Sequence, residues 1–189
     1  MAVSGSCRGG TQGIVFPICS GLSRESIATG GFVIGAIRAH IDRHAVAGGG
    51  KPMCNLYNLT TNQQAIRDIA GATSDSLGNL EPSLDVYPDR PAPVVRNTGS
   101  GRELARLTWG MPTPPQFLKA PDAPDSGVTN IRNTASPHWR RWLGVAHRCV
   151  VPATAFSEYG QRPDPVTRRK PLHWFALDQT RPLFFFAGI

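Results

Sequence analysis

Arg148-Cys149-Val150-Val151-Pro152-Ala153-Thr154-Ala155-Phe156-Ser157-Glu158-Tyr159 is the stretch on which the fold turns. Cys149 to Pro152 reads as a strand ending at the proline, which has no N–H to give a β-ladder. The chain then enters Phe156-Ser157-Glu158-Tyr159, where a single acid stands among aromatics. Upstream, Leu104 to Trp109 (LARLTW) alternates and predicts a strand. Tyr87 to Arg96 is extended and proline-interrupted, with Val94-Val95 as a short strand. Downstream, Leu172 to Leu177 and Leu183 to Ala187 read as a strand pair turning at Asp178 to Pro182. One helix is expected over Thr61 to Ala72, with Ala65, Ile66 and Ile69 on one face and Thr60, Thr61 or Asn62 as cap. Met111 to Ala123 reads as a proline-rich loop, and Trp139 to Leu143 as a short helix or turn.

Composition agrees with a strand-rich reading. The 189 residues include 20 glycines and 17 prolines, a load that argues against a helical bundle. Apolar residues make up 40% and charged residues 17%, enough apolar content for a real core and too much for wholesale disorder. The length suits one domain with room for an appendage. No apolar run reaches the roughly 18 residues of a membrane-spanning helix. Twenty Lys and Arg against 13 Asp and Glu give a net charge of +7, which permits a polyanionic partner without requiring one. Cys7, Cys19, Cys54 and Cys149 include no CxxC pair and have no histidine at zinc-finger spacing. That excludes a familiar zinc site or a disulfide scaffold and points to a reducing, cytoplasmic setting.

The character of the chain changes near residue 52. Residues 1–52 are rich in Gly, Ser and Ala and carry no Trp or Tyr. Arg38, Asp42 and Arg43 interrupt the region that a signal peptide would keep apolar. The segment reads as a disordered or weakly helical leader, or as translation upstream of the true start. Gly48-Gly49-Gly50-Lys51-Pro52 precedes Met53 directly. Glycine codons begin GG, so a guanine-rich tract would lie where a bacterial ribosome-binding sequence belongs. Met53 is thus expected to be the true start. At the other end, Phe184 to Ile189 is the greasiest stretch of the sequence, where natural termini are usually polar. Residues 53–189 are therefore expected to be a domain incomplete at its C-terminus.

Four spots carry chemistry. If Met53 is removed, Cys54 becomes the first residue and presents an amine (pKa about 7.7–8.0) beside a thiol (about 8.5). Such a pair condenses with an aldehyde: the amine forms an imine and the thiol closes a thiazolidine ring. Thr129-Asn130-Ile131-Arg132-Asn133-Thr134 gathers amides and a guanidinium that can orient an oxygen or hold a phosphate. Glu158 is placed for proton transfer. Trp109-Gly110-Met111-Pro112 could offer a ring to a base, with Arg132, Arg140, Arg141 and Arg148 for phosphates. Singly, each has an ordinary explanation: a buried cysteine, a solvated turn, a surface acid, a core tryptophan.

Together, the order MCNLY (53–57), WGMP (109–112), NIRNT (130–134), RCVVP (148–152), FSEY (156–159) and FFFAGI (184–189) resembles the SRAP (SOS response-associated peptidase) family of abasic-site shield proteins. The resemblance covers residues 53–189. It implies an α+β fold, a curved barrel-like antiparallel sheet with flanking helices. It implies binding of single-stranded DNA and covalent crosslinking to abasic sites through an N-terminal cysteine, matched by Cys54, during the DNA damage response. Asn130 matches the family's catalytic asparagine, Glu158 its acid and Arg132 its phosphate-contacting arginine. Trp109 matches an aromatic that packs against bases, and Arg148 is a further DNA-binding candidate. Autoproteolytic exposure of the cysteine is part of the family's proposed repertoire. No cofactor or metal is implied, and a monomer acting on abasic single-stranded DNA near the bacterial nucleoid is expected.

Departures accompany the match. The common Met-Cys-Gly-Arg reads Met53-Cys54-Asn55-Leu56, and the common Asn-Ala-Arg-x-Glu-Thr reads Asn130-Ile131-Arg132-Asn133-Thr134. The family's catalytic histidine lies beyond the FAG-type strand at which this chain stops, and His173 is expected to be structural. Two alternatives stand beside the crosslinking reading: a noncovalent single-strand-binding module, and an inactive truncated gene fragment.

Overall fold

The computed structural model describes residues 56–118, 120, 125, 127–131, 133–160 and 162–189, and the backbone of 13–14 and 16–17. Twelve strands run in chain order: β1 Gly13–Ile14, β2 Phe16–Pro17, β3 Leu56–Leu59, β4 Ser74–Asp75, β5 Ser83–Val86, β6 Pro91–Thr98, β7 Gly101–Trp109, β8 Asn130–Ile131, β9 Cys149–Ala153, β10 Ala155–Tyr159, β11 Leu172–Phe175 and β12 Phe184–Gly188. Two short helices interrupt them, α1 Gln63–Ala70 and α2 Pro137–Arg140.

The strands form one six-stranded sheet, ordered β1-β7-β6-β9-β12 with β4 also on β7, and one four-stranded sheet, ordered β11-β10-β3-β5. A third, two-stranded pair joins β2 to β8. The architecture is thus mostly β. Among the described residues neither large sheet closes on itself, so the expected barrel is replaced by two open sheets.

The opening stretch of sequence makes the join between the sheets. β9 belongs to the first and β10 to the second, with Thr154 alone between them. Its N–H donates to the Asn58 carbonyl at 2.8 Å, its hydroxyl donates to the same carbonyl at 3.3 Å, and its Oγ accepts the Thr60 N–H at 3.2 Å. These bonds hold the corner against β3 and satisfy polar groups that burial would otherwise penalise.

Pro152 does not end the strand. β9 continues to Ala153, because β6 pairs with it only at Cys149 and Val150 while β12 accompanies it throughout. Past Val150 one side of β9 has no ladder to disturb, so a missing N–H is tolerated. The same reason admits Pro91 and Pro93 in β6, eight residues long where the sequence suggested a short Val94-Val95 strand.

The core lies between the sheets. Tyr57, Leu59, Ile66, Val94, Leu104, Trp109, Val151 and Phe184 are buried together, with Phe156 and Phe186 packed against them. Tyr57 lies 5.4 Å from Trp109 and 6.2 Å from Phe186 between ring centres. Such tilted contacts suit the aromatic quadrupole and add to area burial.

Helix α1 is narrower than the expected Thr61–Ala72. The Asn62 side chain accepts the Ala65 N–H at 2.8 Å and opens it, and Gly71 at φ +63° closes it. Arg102 of β7 donates to the Ala70 carbonyl at 3.0 Å, satisfying a group that the helix end leaves over. Ile66 and Ala70, one turn apart, face the core, whereas Ile69 is 62% exposed rather than buried. A two-turn helix lying on a sheet has one narrow inward stripe, and Ile69 falls off its edge.

The predicted pairing of Leu172–Leu177 with Leu183–Ala187 does not form. β11 pairs with β10 and β12 pairs with β9, in different sheets. Asp178 does turn the chain, accepting the Thr180 N–H, but the turn connects two sheets rather than two neighbours.

Candidate active site

Cys54 and Arg132 lie outside the described residues, as do Cys7 and Cys19. Leu56 is the first residue after Cys54 that the structure describes. Leu56 begins β3, all four of whose residues are buried. It pairs with Ser157 of β10, whose hydroxyl donates to the Leu56 carbonyl at 3.2 Å. Glu158 follows directly. The register therefore ties the segment that emerges from Cys54 to the strand that carries the acid.

Glu158 is half-buried and stands opposite His173 of β11. Antiparallel residues in register place their Cβ atoms about 4.5–5.5 Å apart on one face. A side chain at Gly160 would lie 2.9 Å from the Pro171 ring and 3.1 Å from His173 Nε2. The glycine that ends the FSEYG run thus admits the imidazole. His173 was expected to be structural; it is exposed, and shares a face with the acid. The signal that could have found it is the hairpin spacing between Tyr159 and Leu172, obscured by the twelve residues between them.

Asn130 is positioned from both sides. Trp109 donates its indole N–H to the Thr129 carbonyl at 3.2 Å, and Met111 and Val128 exchange backbone bonds of 3.0 and 2.7 Å. Asn130 itself donates from Nδ2 to Thr129 Oγ1 at 3.1 Å. On its other side Ile131 is buried with Trp139 and Ile189. The intervening loop is pinned by Asp125, which accepts N–H bonds from Thr113 and Gly127, both 2.8 Å. The Thr113 hydroxyl, the Thr113 N–H and the Gly127 N–H hold the Asp125 carboxyl below the usual range.

WGMP and the start of NIRNT, 21 residues apart in sequence, are thereby neighbours. Trp109, however, is fully buried against Tyr57 and exposes no ring to a base. Its part in this structure is to hold Thr129, and through it Asn130. Strand β12 links this ladder to the acid's strand, with Phe186 against Phe156 at 5.5 Å and Ile189 beside Ile131.

Arg148 is exposed, and its Nε–H donates to the Leu143 carbonyl at 2.9 Å. Arg140 and Arg141 are exposed as well, Arg141 lying 5.2 Å over the Trp142 ring. Cys149 is buried, and desolvation pushes its thiol up to about 12. It is protonated and inert at neutral pH, and so is no nucleophile. Among the described residues no cluster of three His, Cys, Asp or Glu could hold a metal, and no helix is long and apolar enough to cross a membrane.

Comparison with known proteins finds similar chains. Abasic site processing protein YoqW of Bacillus subtilis is 32% identical over 93 residues, covering 48% of this chain and 40% of that protein. YobE, also an abasic site processing protein of B. subtilis, is 34% identical over 98 residues, 48% and 41% of the two chains. YoaM, of the same description and organism, is 32% identical over 119 residues, 59% and 47%. The chain spans less than half the length of these relatives. A crystal structure of a Bordetella bronchiseptica protein matches 71% of this chain and 62% of its own at 25% identity, with a TM-score of 0.48. Residues 53–189, from the methionine before Cys54 through β12, match the SOS response associated peptidase (SRAP) family, and the chain belongs to it.

Proposed function

We propose that this protein binds single-stranded DNA and links covalently to abasic sites through Cys54 once Cys54 is the first residue. The observation that carries the reading is the β3–β10 register, which ties the segment leaving Cys54 to the strand of Glu158. Family membership and abasic-site processing relatives support it.

An abasic deoxyribose rests mainly as a closed hemiacetal. Glu158 moves the proton that opens it to the aldehyde. The Cys54 amine adds to that carbon, and loss of water gives an imine. The Cys54 thiolate then adds to the imine carbon and the nitrogen takes a proton, closing a thiazolidine. The product masks a lesion that would otherwise break by β-elimination. Asn130, held on the Thr129 ladder, orients the reacting groups. Arg132 and Arg148 contact phosphates, and Arg148 does so while keeping its Nε–H on Leu143. Trp109 acts by holding Thr129 in place. Residues 1–53, Met53 included, must be absent or removed for the amine to exist, because in the longer chain that nitrogen is an amide.

The direct test is crosslinking to an abasic single-stranded oligonucleotide on a denaturing gel. A chain beginning at Cys54 gives a shifted band. Cys54→Ala, and a chain retaining residues 1–52 uncleaved, give none. A properly trimmed chain that leaves the lesion unattached overturns the reading.

A further inference from the structure

The site just described uses one face of the β10–β11 hairpin. Side chains alternate along a strand, and antiparallel partners share a face. Phe156, Phe175, Glu158 and His173 are therefore on one face, and its Phe156–Phe175 stack packs against Phe184 and Phe186. Tyr159, Leu172 and Trp174 are on the other, and are 55%, 42% and 41% exposed.

The tip of the same hairpin is strongly cationic. Arg162, Arg168, Arg169 and Lys170 are all exposed, and both ion pairs found among the described residues, Arg67–Asp75 and Arg96–Glu103, lie elsewhere. The one acid of the tip is occupied internally. Asp164 Oδ1 accepts the N–H groups of Thr167 at 2.7 Å and Val166 at 3.0 Å, and these bonds, Thr167 foremost, hold its carboxyl low. Its backbone bonds to Arg168 and Arg169, 2.9 and 2.8 Å, give the tip a defined shape.

We infer that this outer face and tip form a second contact surface for single-stranded DNA, gripping the strand as it runs away from the covalent site. The inference rests on the abasic-site reading. Exposed flat rings beside several cations are the chemistry that binds bases and phosphates without regard to sequence. The surface adjoins the proposed site across the hairpin: β11 is the edge of its sheet, and Glu158 and Tyr159 are successive residues on opposite faces of β10.

The test uses the full chain, with fluorescence anisotropy of labelled (dT)20 across a salt series. Arg162→Glu, Arg169→Glu and Lys170→Glu are combined in one variant, and Tyr159→Ala and Trp174→Ala in a second. The charge variant should weaken binding at low salt by tenfold or more. It should also flatten the log–log salt dependence by about 0.7 per lost phosphate contact. The aromatic variant should weaken binding about fivefold or more with the salt slope retained. Both, trimmed to Cys54, should still crosslink a five-nucleotide abasic oligomer, because the covalent site uses the opposite face of the hairpin.

Variants that keep their thermal transition and bind (dT)20 as tightly as the wild type, with the same slope, overturn the inference. The abasic-site reading then stands if the trimmed wild type crosslinks. A wild type that neither binds nor crosslinks overturns both. Loss of binding to phosphatidylserine vesicles with (dT)20 affinity intact would assign the surface to a membrane and also overturn it.

Discussion

Two hairpins of this protein share a topology and have different fates. β6–β7 pairs over eight positions, closes in a tight turn at Thr98–Gly101, and contributes Val94, Leu104 and Trp109 to the core. One of its three arginines, Arg96, is held by Glu103 at 2.9 Å. β10–β11 pairs over four positions, closes through a long tip, and leaves one face and four cations to solvent. Antiparallel pairing alone does not decide whether a hairpin becomes scaffold or surface. What decides it is whether other strands cover its edges and faces: β9, β4 and β1 flank β6–β7, whereas β10–β11 has β3 on one side only.

The sharpest way to break that contrast is to truncate each hairpin once. Leu104→Ala should cost about 2–5 kcal/mol by chemical denaturation, because its fully buried side chain leaves a cavity. Leu172→Ala should stay within about 0.5 kcal/mol. Equal losses would mean that the second hairpin is covered after all.

Next in size is the corner that joins the two sheets. Thr154→Val keeps the shape but removes the hydroxyl, leaving the Thr60 N–H without its acceptor; a loss of about 1–3 kcal/mol is expected in the same assay. Gly160→Ala should cost about 1 kcal/mol, since the new methyl meets Pro171 and His173 below 3.2 Å. Hydrogen exchange should place that loosening in β10–β11 and leave β6–β7 protected. A uniform loss across both would make the hairpins one cooperative unit.

The smallest effect concerns the ion pair that only the scaffold hairpin has. Hydrogen bonds from Ser76 and Arg96 lower the Glu103 pKa. A depressed carboxyl stabilises the fold fully above its unfolded value, about 4.3, and loses that contribution as pH falls through the folded value. Glu103→Gln should therefore cost about 0.5 kcal/mol at pH 7, and the difference from wild type should vanish between about pH 5 and pH 3. A difference independent of pH would show that shape rather than charge matters there.

Much of the local structure was legible. LARLTW is the strand its pattern suggests, although β7 buries Leu104 on one face and Ala105 and Trp109 on the other, and Asn62, one of the three expected caps, opens the helix through its own hydrogen bonding. Of the candidate site, Asn130 and Glu158 were singled out through motif order, and the structure gives each a holding framework. Trp109 was read as a ring for bases, since an aromatic in a Gly-Pro-flanked motif carries no mark of its burial. His173 was given a structural role because its partner Glu158 lies 15 residues away in sequence.

The sequence by itself determined that strands lie at 104–109 and 149–152 and within 172–177, that a helix lies within 61–72, and to which family residues 53–189 belong. These depend on period-2 patterning, capping chemistry and motif spacing, all written within a few residues of one another. Only the tertiary structure decided that β11 joins β10 while β12 joins β9, that Pro152 lies inside a strand, and that Tyr159 and Trp174 face solvent beside a cationic tip. Alternation tells a strand which side faces the core but not which neighbour it meets. That choice comes from fitting distant apolar faces together around Tyr57, Trp109 and Phe186.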